Sequence, residues 1–220
     1  MNDISNFIIK KIPELPQVGI VLGSGLGKFV NHLENKIVIS YSEIPYHLQS
    51  TISGHSGEWI FGYIKDKPII CASGRFHIYE GFSFDEVSLP VTIIKSLGCN
   101  LIIITNSSGC LVKDWKIGDL MFVKGYIDYS FSVYKKLPKI INLKINKDLL
   151  VRVNNAASGL KIVLRKGIYT WTLGPTYETP SEVKDIISLG GNAVGMSTVP
   201  EIIKAKELNL DIIVISCLTN

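Results

Sequence analysis

Short, nearly continuous apolar runs recur along the chain: VGIVL at 18–22, KPIICA at 67–72, LIIIT at 101–105 and DIIVISCL at 211–218. Runs of this length, rich in Ile and Val, are what strands covered on both faces look like, so they predict a largely parallel or mixed buried sheet. Between them lie stretches with helical spacing. SFDEVSLPVTIIKSLG at 83–98 opens on Ser83 as a capping residue, carries acids at 85 and 86 in its first turn and stops at Gly98, with Pro90 as a point where it kinks. TPSEVKDIISLGG at 179–191 has a cap, an early proline, Glu182, an amphipathic body and a glycine pair to end it. A third helix is expected from 198 to about 208. Strands alternating with helices point to an α/β sandwich. Residues 125–147 show no convincing period and read as a long surface loop. No repeat, low-complexity tract or linker interrupts the pattern, so a single domain over residues 1–220 is expected.

Composition narrows the function classes. A chain of 220 residues, 46% hydrophobic and 19% charged, is long enough to bury a sizeable core. The net charge of +4 is modest, and lysines are spread without a basic run or interleaved aromatics, which argues against a nucleic-acid partner and suits an acidic small molecule. Only three of the 23 basic residues are arginine, so Arg75 in GRFHIYEG is more informative than an arginine usually is. Cys71, Cys99, Cys110 and Cys217 are widely spaced with no C-x-x-C, and read as reduced, buried thiols with no metal. No stretch looks like a secretory signal, and none approaches the roughly 20 apolar residues of a membrane-spanning helix. A soluble, cytoplasmic protein without a membrane partner is expected.

Several strand ends run into turns of small polar residues. VGIVLGSGLGK at 18–28 is a strand entering a glycine-rich turn with a helix behind it, where backbone N–H groups and Ser24 can donate to an anion. It is not a Walker loop, but Glu43 lies where a dinucleotide fold would put its ribose-binding acid, which keeps a Rossmann-type oxidoreductase open. His55 stands between glycines in STISGHSGEWIFG, with an exposed loop histidine as the plain alternative. In GRFHIYEG, an extended chain would put Arg75, His77 and Tyr79 on one face and Phe76 and Ile78 on the other, giving donors for an anion or a polar strip facing water. Asn106, Ser107 and Ser108 sit at the carboxyl end of a buried strand, where α/β sheets bind ligands. Glu178 and Ser197 each precede a helix, and read either as ligand groups or as ordinary helix-start residues.

Taken in order, GSGLG, STISGHSG, GRFHIYEG, TNSSG, GDLM, GPTYETP, AVGMSTVPE and the terminal LTN closely resemble the trimeric purine nucleoside phosphorylases, the inosine-guanosine phosphorylase family, across residues 18–220. The resemblance implies a three-layer α/β sandwich with a mixed, largely buried central sheet flanked by helices. It implies a pentosyltransferase that cleaves purine (deoxy)ribonucleosides with inorganic phosphate as co-substrate and no other cofactor, working as a homotrimer. Ser24, His55, Arg75, His77, Ser107 and Ser197 resemble the phosphate cradle, Tyr79 and Met196 the ribose contacts, and Tyr177, Glu178 and Asn220 the base site, with His77, Glu178 and Asn220 closest to the chemistry. An amide at Asn220, where methylthioadenosine phosphorylases carry Asp, favours 6-oxopurines such as hypoxanthine and guanine. The chain departs from the family in stopping at Asn220 before the usual C-terminal helix, and in a shortened stretch at 126–146. These departures leave open a non-catalytic purine- or phosphate-binding protein and a methylthioadenosine phosphorylase-like specificity.

Overall fold

All four apolar runs form strands. In chain order the computed structural model, which describes residues 2–49, 57–131 and 137–220, contains α1 (Asn2–Ile9), β1 (Val18–Val21), β2 (Glu34–Ser40), β3 (Glu58–Ile64), β4 (Lys67–Ser73), α2 (Phe84–Val87), α3 (Leu89–Ser96), β5 (Leu101–Cys110), β6 (Leu120–Asp128), β7 (Ile140–Asn142), α4 (Lys147–Gly159), β8 (Leu164–Trp171), α5 (Pro180–Ser188), β9 (Ala193–Gly195), α6 (Val199–Glu207) and β10 (Asp211–Leu218). Short 3-10 turns cover Gly27–His32, Tyr41–Glu43 and Ile78–Glu80. The α/β class with a mixed sheet and helices, expected from the apolar runs, is what the chain adopts.

The chain divides into two units: one holds the residues up to Thr105 together with Pro200–Ile212, the other Asn106–Val199 together with Ile213–Asn220. In the first unit β2, β3 and β4 form an antiparallel meander, and β4 continues through parallel pairing to β1 and on to the first half of β5. Lys65 and Asp66 both take positive φ (48° and 60°) between the paired residues Ile64 and Lys67, the two-residue turn that suits the twist of a hairpin. Ile20, Leu22, Ile60, Ile69 and Cys71 pack with Leu33 as one apolar layer. In the second unit β6, β8 and β9 run parallel, the last residues of β5 pair antiparallel with β9, and β7 and β10 pair antiparallel with β6. Its interior is built from Phe122, Val123, Ile127, Ile168, Tyr169, Trp171 and Ile186, all nearly or fully buried.

Several expectations need correction. The helix at 83–98 is two helices: Ser83 caps α2 through a reciprocal capping box with Glu86, and the chain restarts at Leu89. Pro90 lies in the first turn of α3, where its missing N–H would have no partner anyway, so the proline opens a helix and kinks none. Among the described residues the stretch 125–147 is not all loop, and residues 132–136 of it lie outside them. β6 runs through to Asp128, β7 pairs with it, and a register shift between Val123 and Gly125 breaks the alternation that would have marked the strand. β5 continues to Cys110, so Asn106–Ser108 lie within the strand, and the element behind the glycine-rich turn is a 3-10 turn. Of the four free cysteines, Cys71 and Cys99 are buried, which pushes each thiol up to about 12, while Cys110 and Cys217 are only partly covered.

Candidate active site

The first group of candidate residues follows β4. Gly74 takes φ of 152°, and a Cβ there would lie 3.0 Å from the Gly57 backbone nitrogen, so only glycine lets the chain turn inward at this point. Arg75 is therefore carried into the interior, where it is 2% exposed. Its Nε and Nη2 donate to the two carboxylate oxygens of Glu201 at 3.0 and 2.9 Å, and its Nη1 donates to the Thr105 carbonyl at 2.9 Å. Glu201 is equally buried, so the two charges leave water together and satisfy each other in a fork-to-fork bond. Thr105 also receives the Gly23 N–H on its hydroxyl, which itself donates to the Val21 carbonyl, both at 3.0 Å. One residue thus links the glycine-rich turn after β1 to the arginine.

His77 is extended (φ −126°, ψ 149°) and 8% exposed. One oxygen of Glu80 accepts both its backbone N–H, at 2.9 Å, and its Nδ1–H, at 3.0 Å. A carboxylate only accepts, so Nδ1 carries the proton and in the neutral ring the lone pair is on Nε2. Burial holds the imidazole below its ordinary value, with the Arg75 charge adding to the effect, against the Glu80 bond that pulls it upward. The one-faced strip expected for Arg75, His77 and Tyr79 is not formed. The Ile78–Glu80 turn folds Tyr79 back so that its ring stacks on His77, with centroids 4.7 Å apart and planes at 19°. The water-facing alternative fails as well, because Arg75 and His77 are buried. Burial, followed by the Glu80 charge, raises the Tyr79 phenol.

An aromatic cluster supports this turn. Tyr41 donates its hydroxyl to the Gly74 carbonyl at 3.3 Å and stacks on His47 at 4.0 Å, while Phe76 lies 6.0 Å from the Tyr41 ring. His47 donates from Nδ1 to the Leu48 carbonyl and accepts the Trp59 indole N–H on Nε2 at 3.0 Å, and its burial lowers its proton affinity. Ser24 is exposed in the turn after β1, and His55 lies outside the described residues. Glu43 closes a capping box with Ser40 and pairs with Lys11 at 3.9 Å, so its carboxylate has a structural use and the ribose-binding role of a dinucleotide fold is not supported.

The second group belongs to the other unit. Asn106 and Ser108 point to the buried face of β5 and Ser107 to the partly covered one. Asn106 donates from Nδ2 to the Thr198 hydroxyl at 3.0 Å. Thr198 holds a positive φ of 78°, and its hydroxyl lies 3.3 Å from that of Ser197. Met196 and Ser197 follow Gly195, whose missing side chain admits the buried Tyr169 hydroxyl, 2.5 Å from where a Cβ would sit. That hydroxyl receives the Ser197 N–H at 3.5 Å.

Glu178 is not a helix-start carboxylate. That task at α5 falls to Glu182, which takes the Thr179 N–H at 2.7 Å and its hydroxyl at 2.8 Å. Glu178 instead receives the Thr172 hydroxyl on Oε1 at 2.7 Å. Both carboxylates line a cavity of about 250 Å³ with Tyr129, Thr172 and Tyr177. Tyr177 is 82% exposed. Asn220 is exposed, and its backbone carbonyl accepts the Cys110 N–H at 2.7 Å, which ties it beside β5. Among the described residues, no group of three or more His, Cys, Asp or Glu is placed to hold a metal ion.

Sequence reasoning passed over Glu80, Thr105, Thr172 and Glu201. Glu80 carried a readable signal, an acid three residues after His77 in GRFHIYEG. Glu201 and Thr105 had none, because what defines them is a contact with a residue far away in sequence.

Residues 17–220 match the family described as the phosphorylase superfamily. The chain is similar to purine nucleoside phosphorylase 1 of Bacillus subtilis, 37% identical over 224 residues that cover 97% of this chain and 82% of that protein. It is similar to the purine nucleoside phosphorylase of Bos taurus, 32% identical over 99% of this chain and 80% of that protein. Among solved structures, the Schistosoma purine nucleoside phosphorylase in complex with hypoxanthine superposes with a TM-score of 0.87 at 30% identity, over 100% of this chain and 82% of that one. Similarity of this extent in both sequence and fold leaves no place for the oxidoreductase reading: the chain belongs to the phosphorylase superfamily and, within it, to the purine nucleoside phosphorylases.

Proposed function

We propose that this enzyme cleaves the N-glycosidic bond of 6-oxopurine ribo- and deoxyribonucleosides, such as inosine and guanosine, with inorganic phosphate, giving the free base and a pentose 1-phosphate. The observation that carries the reading is the state in which Arg75 and His77 are held. A guanidinium fixed through three N–H groups lies two residues from a neutral imidazole whose tautomer is set by Glu80. A phosphate dianion wants a permanent cation and, for its one remaining proton, an acceptor. Neutral His77 supplies the acceptor at Nε2, which leaves the phosphate oxygens richer in charge for attack on the anomeric carbon. With Ser24, His55, Ser107 and Ser197 as further donors, the bound phosphate also stabilises the oxocarbenium-like sugar, which Tyr79 and Met196 contact.

The base leaves with negative charge, and donors aimed at it lower the barrier. In this reading the Asn220 amide donates toward N7 and O6, Glu178 accepts from N1–H, and Tyr177 packs on the ring. The working form is taken to be a homotrimer in the cytoplasm, with no cofactor beyond phosphate. The family resemblance supports the trimer, and the four free thiols fit a reducing compartment. Light scattering on the purified protein tests the assembly.

The function is tested by following hypoxanthine release from inosine with and without phosphate. Release that depends on phosphate and disappears in Arg75→Ala is the expected result. Guanine binding without any turnover would replace this reading with a non-catalytic binding protein.

A further inference from the structure

We infer that Thr172 sets which class of purine the site accepts, by donating its hydroxyl proton to one carboxylate oxygen of Glu178 and so orienting the other as the acceptor that meets the base. The inference rests on the reading of Glu178 as the group that meets the N1 edge of the base. Thr172 directly follows the last residue of β8 and is 9% exposed. Its backbone N–H donates to the Gly195 carbonyl at 3.0 Å, which fastens it to the end of β9. Its hydroxyl has one proton and two acceptors within reach, Glu178 Oε1 at 2.7 Å and the Gly195 carbonyl at 3.5 Å. The shorter contact, to a carboxylate, takes the proton. Oε1 is thereby engaged, and Oε2 is the oxygen left for a base.

The chemical consequence follows from the two purine classes. N1 of a 6-oxopurine carries a hydrogen and needs an acceptor, whereas N1 of a 6-aminopurine is a lone pair and needs a donor. A carboxylate only accepts, and the Thr172 hydroxyl at 2.7 Å fixes Oε1 so that Oε2 is the acceptor presented to N1. Facing a 6-aminopurine, the carboxylate sets acceptor against acceptor and leaves the pair without a hydrogen bond. Glu182, the other carboxylate of the cavity, already holds the cap of α5. Discrimination at N1 therefore falls to the Thr172–Glu178 pair.

The test compares Thr172→Val, Thr172→Ser and Glu178→Gln, with kcat and KM measured separately for inosine and adenosine and the KM for phosphate as a control. Valine keeps the volume and removes the proton. Thr172→Val is expected to raise KM for inosine by about tenfold, the worth of one hydrogen bond to a charged group. The phosphate KM stays unchanged, the inosine-to-adenosine ratio of kcat/KM narrows, and Thr172→Ser restores both. A wild-type ratio in Thr172→Val, alongside lost inosine turnover in Glu178→Gln, overturns the role of Thr172 and leaves that of Glu178 standing. Equal losses for both nucleosides that serine does not rescue make Thr172 a packing residue and also overturn it. Wild-type inosine kinetics in Glu178→Gln bring down the reading of Glu178, and this inference with it.

Discussion

Arg75 and Glu178 are the charged centres of two groups that the fold treats in opposite ways. Arg75 is 2% exposed and gives three hydrogen bonds, two of them to a glutamate equally hidden from water. Glu178 lies at the edge of an open cavity beside Tyr177, which is 82% exposed, and its carboxylate is steered by one hydroxyl. A buried charge without a partner costs several kcal/mol, so the first group has to be complete before any ligand arrives. The second group sits where water can solvate it until a ligand displaces that water. Folding fixes the first, and the ligand completes the second.

The sharpest way to break this comparison is Glu201→Gln. It leaves a buried guanidinium without its counter-charge and is expected to lower stability by about 3–5 kcal/mol. Urea denaturation reads the loss directly, and a wild-type midpoint would show that folding does not hold the first group. Tyr177→Ala is the counterpart in the second unit. It should raise KM for inosine by about tenfold through lost ring packing, with the midpoint unchanged. A fall in stability of similar size would erase the contrast.

The smallest effect concerns pH. All four histidines fall within the first unit's part of the sequence. His47 and His77 are both held neutral, chiefly by burial. Below the ordinary histidine value near 6.5 the unfolded chain takes up protons that these two native side chains refuse, so stability falls as pH drops from that value toward their lowered ones. Hydrogen exchange at pH 7.5 and pH 5.5 should show amides near His47 and His77 losing protection while those of β6 and β8 keep it. Equal loss in both units would refute the histidine origin.

The parts of this picture that were legible in the sequence are those written locally. Four apolar runs gave four strands, and the Thr179–Glu182 spacing marked α5. An arginine in a lysine-rich chain drew attention to GRFHIYEG. The geometry of that segment was not legible, because Gly74 turns it inward and the Ile78–Glu80 turn ends the extended chain after His77. β6 was hidden by the bulge at Val123–Gly125. Glu201 reads as an ordinary acid in the first turn of α6 until its partner, 126 residues earlier, is placed against it. Thr172 looks like any strand-end threonine. Its importance lies in one proton, and a sequence does not show where a proton points.

The span between Arg75 and Glu201 also bears on how the protein is made. The first unit is assembled from two stretches of chain, and its central ion pair joins them. A ribosome that has delivered everything through Thr105 has supplied the arginine and its carbonyl acceptor, but the glutamate comes almost a hundred residues later. Since domains emerge and begin to fold from the N-terminus, the nascent chain carries an arginine without its carboxylate through the synthesis of the whole intervening segment. That guanidinium has to stay hydrated until Glu201 leaves the exit tunnel, so the Arg75 group closes only after the whole intervening segment has been made.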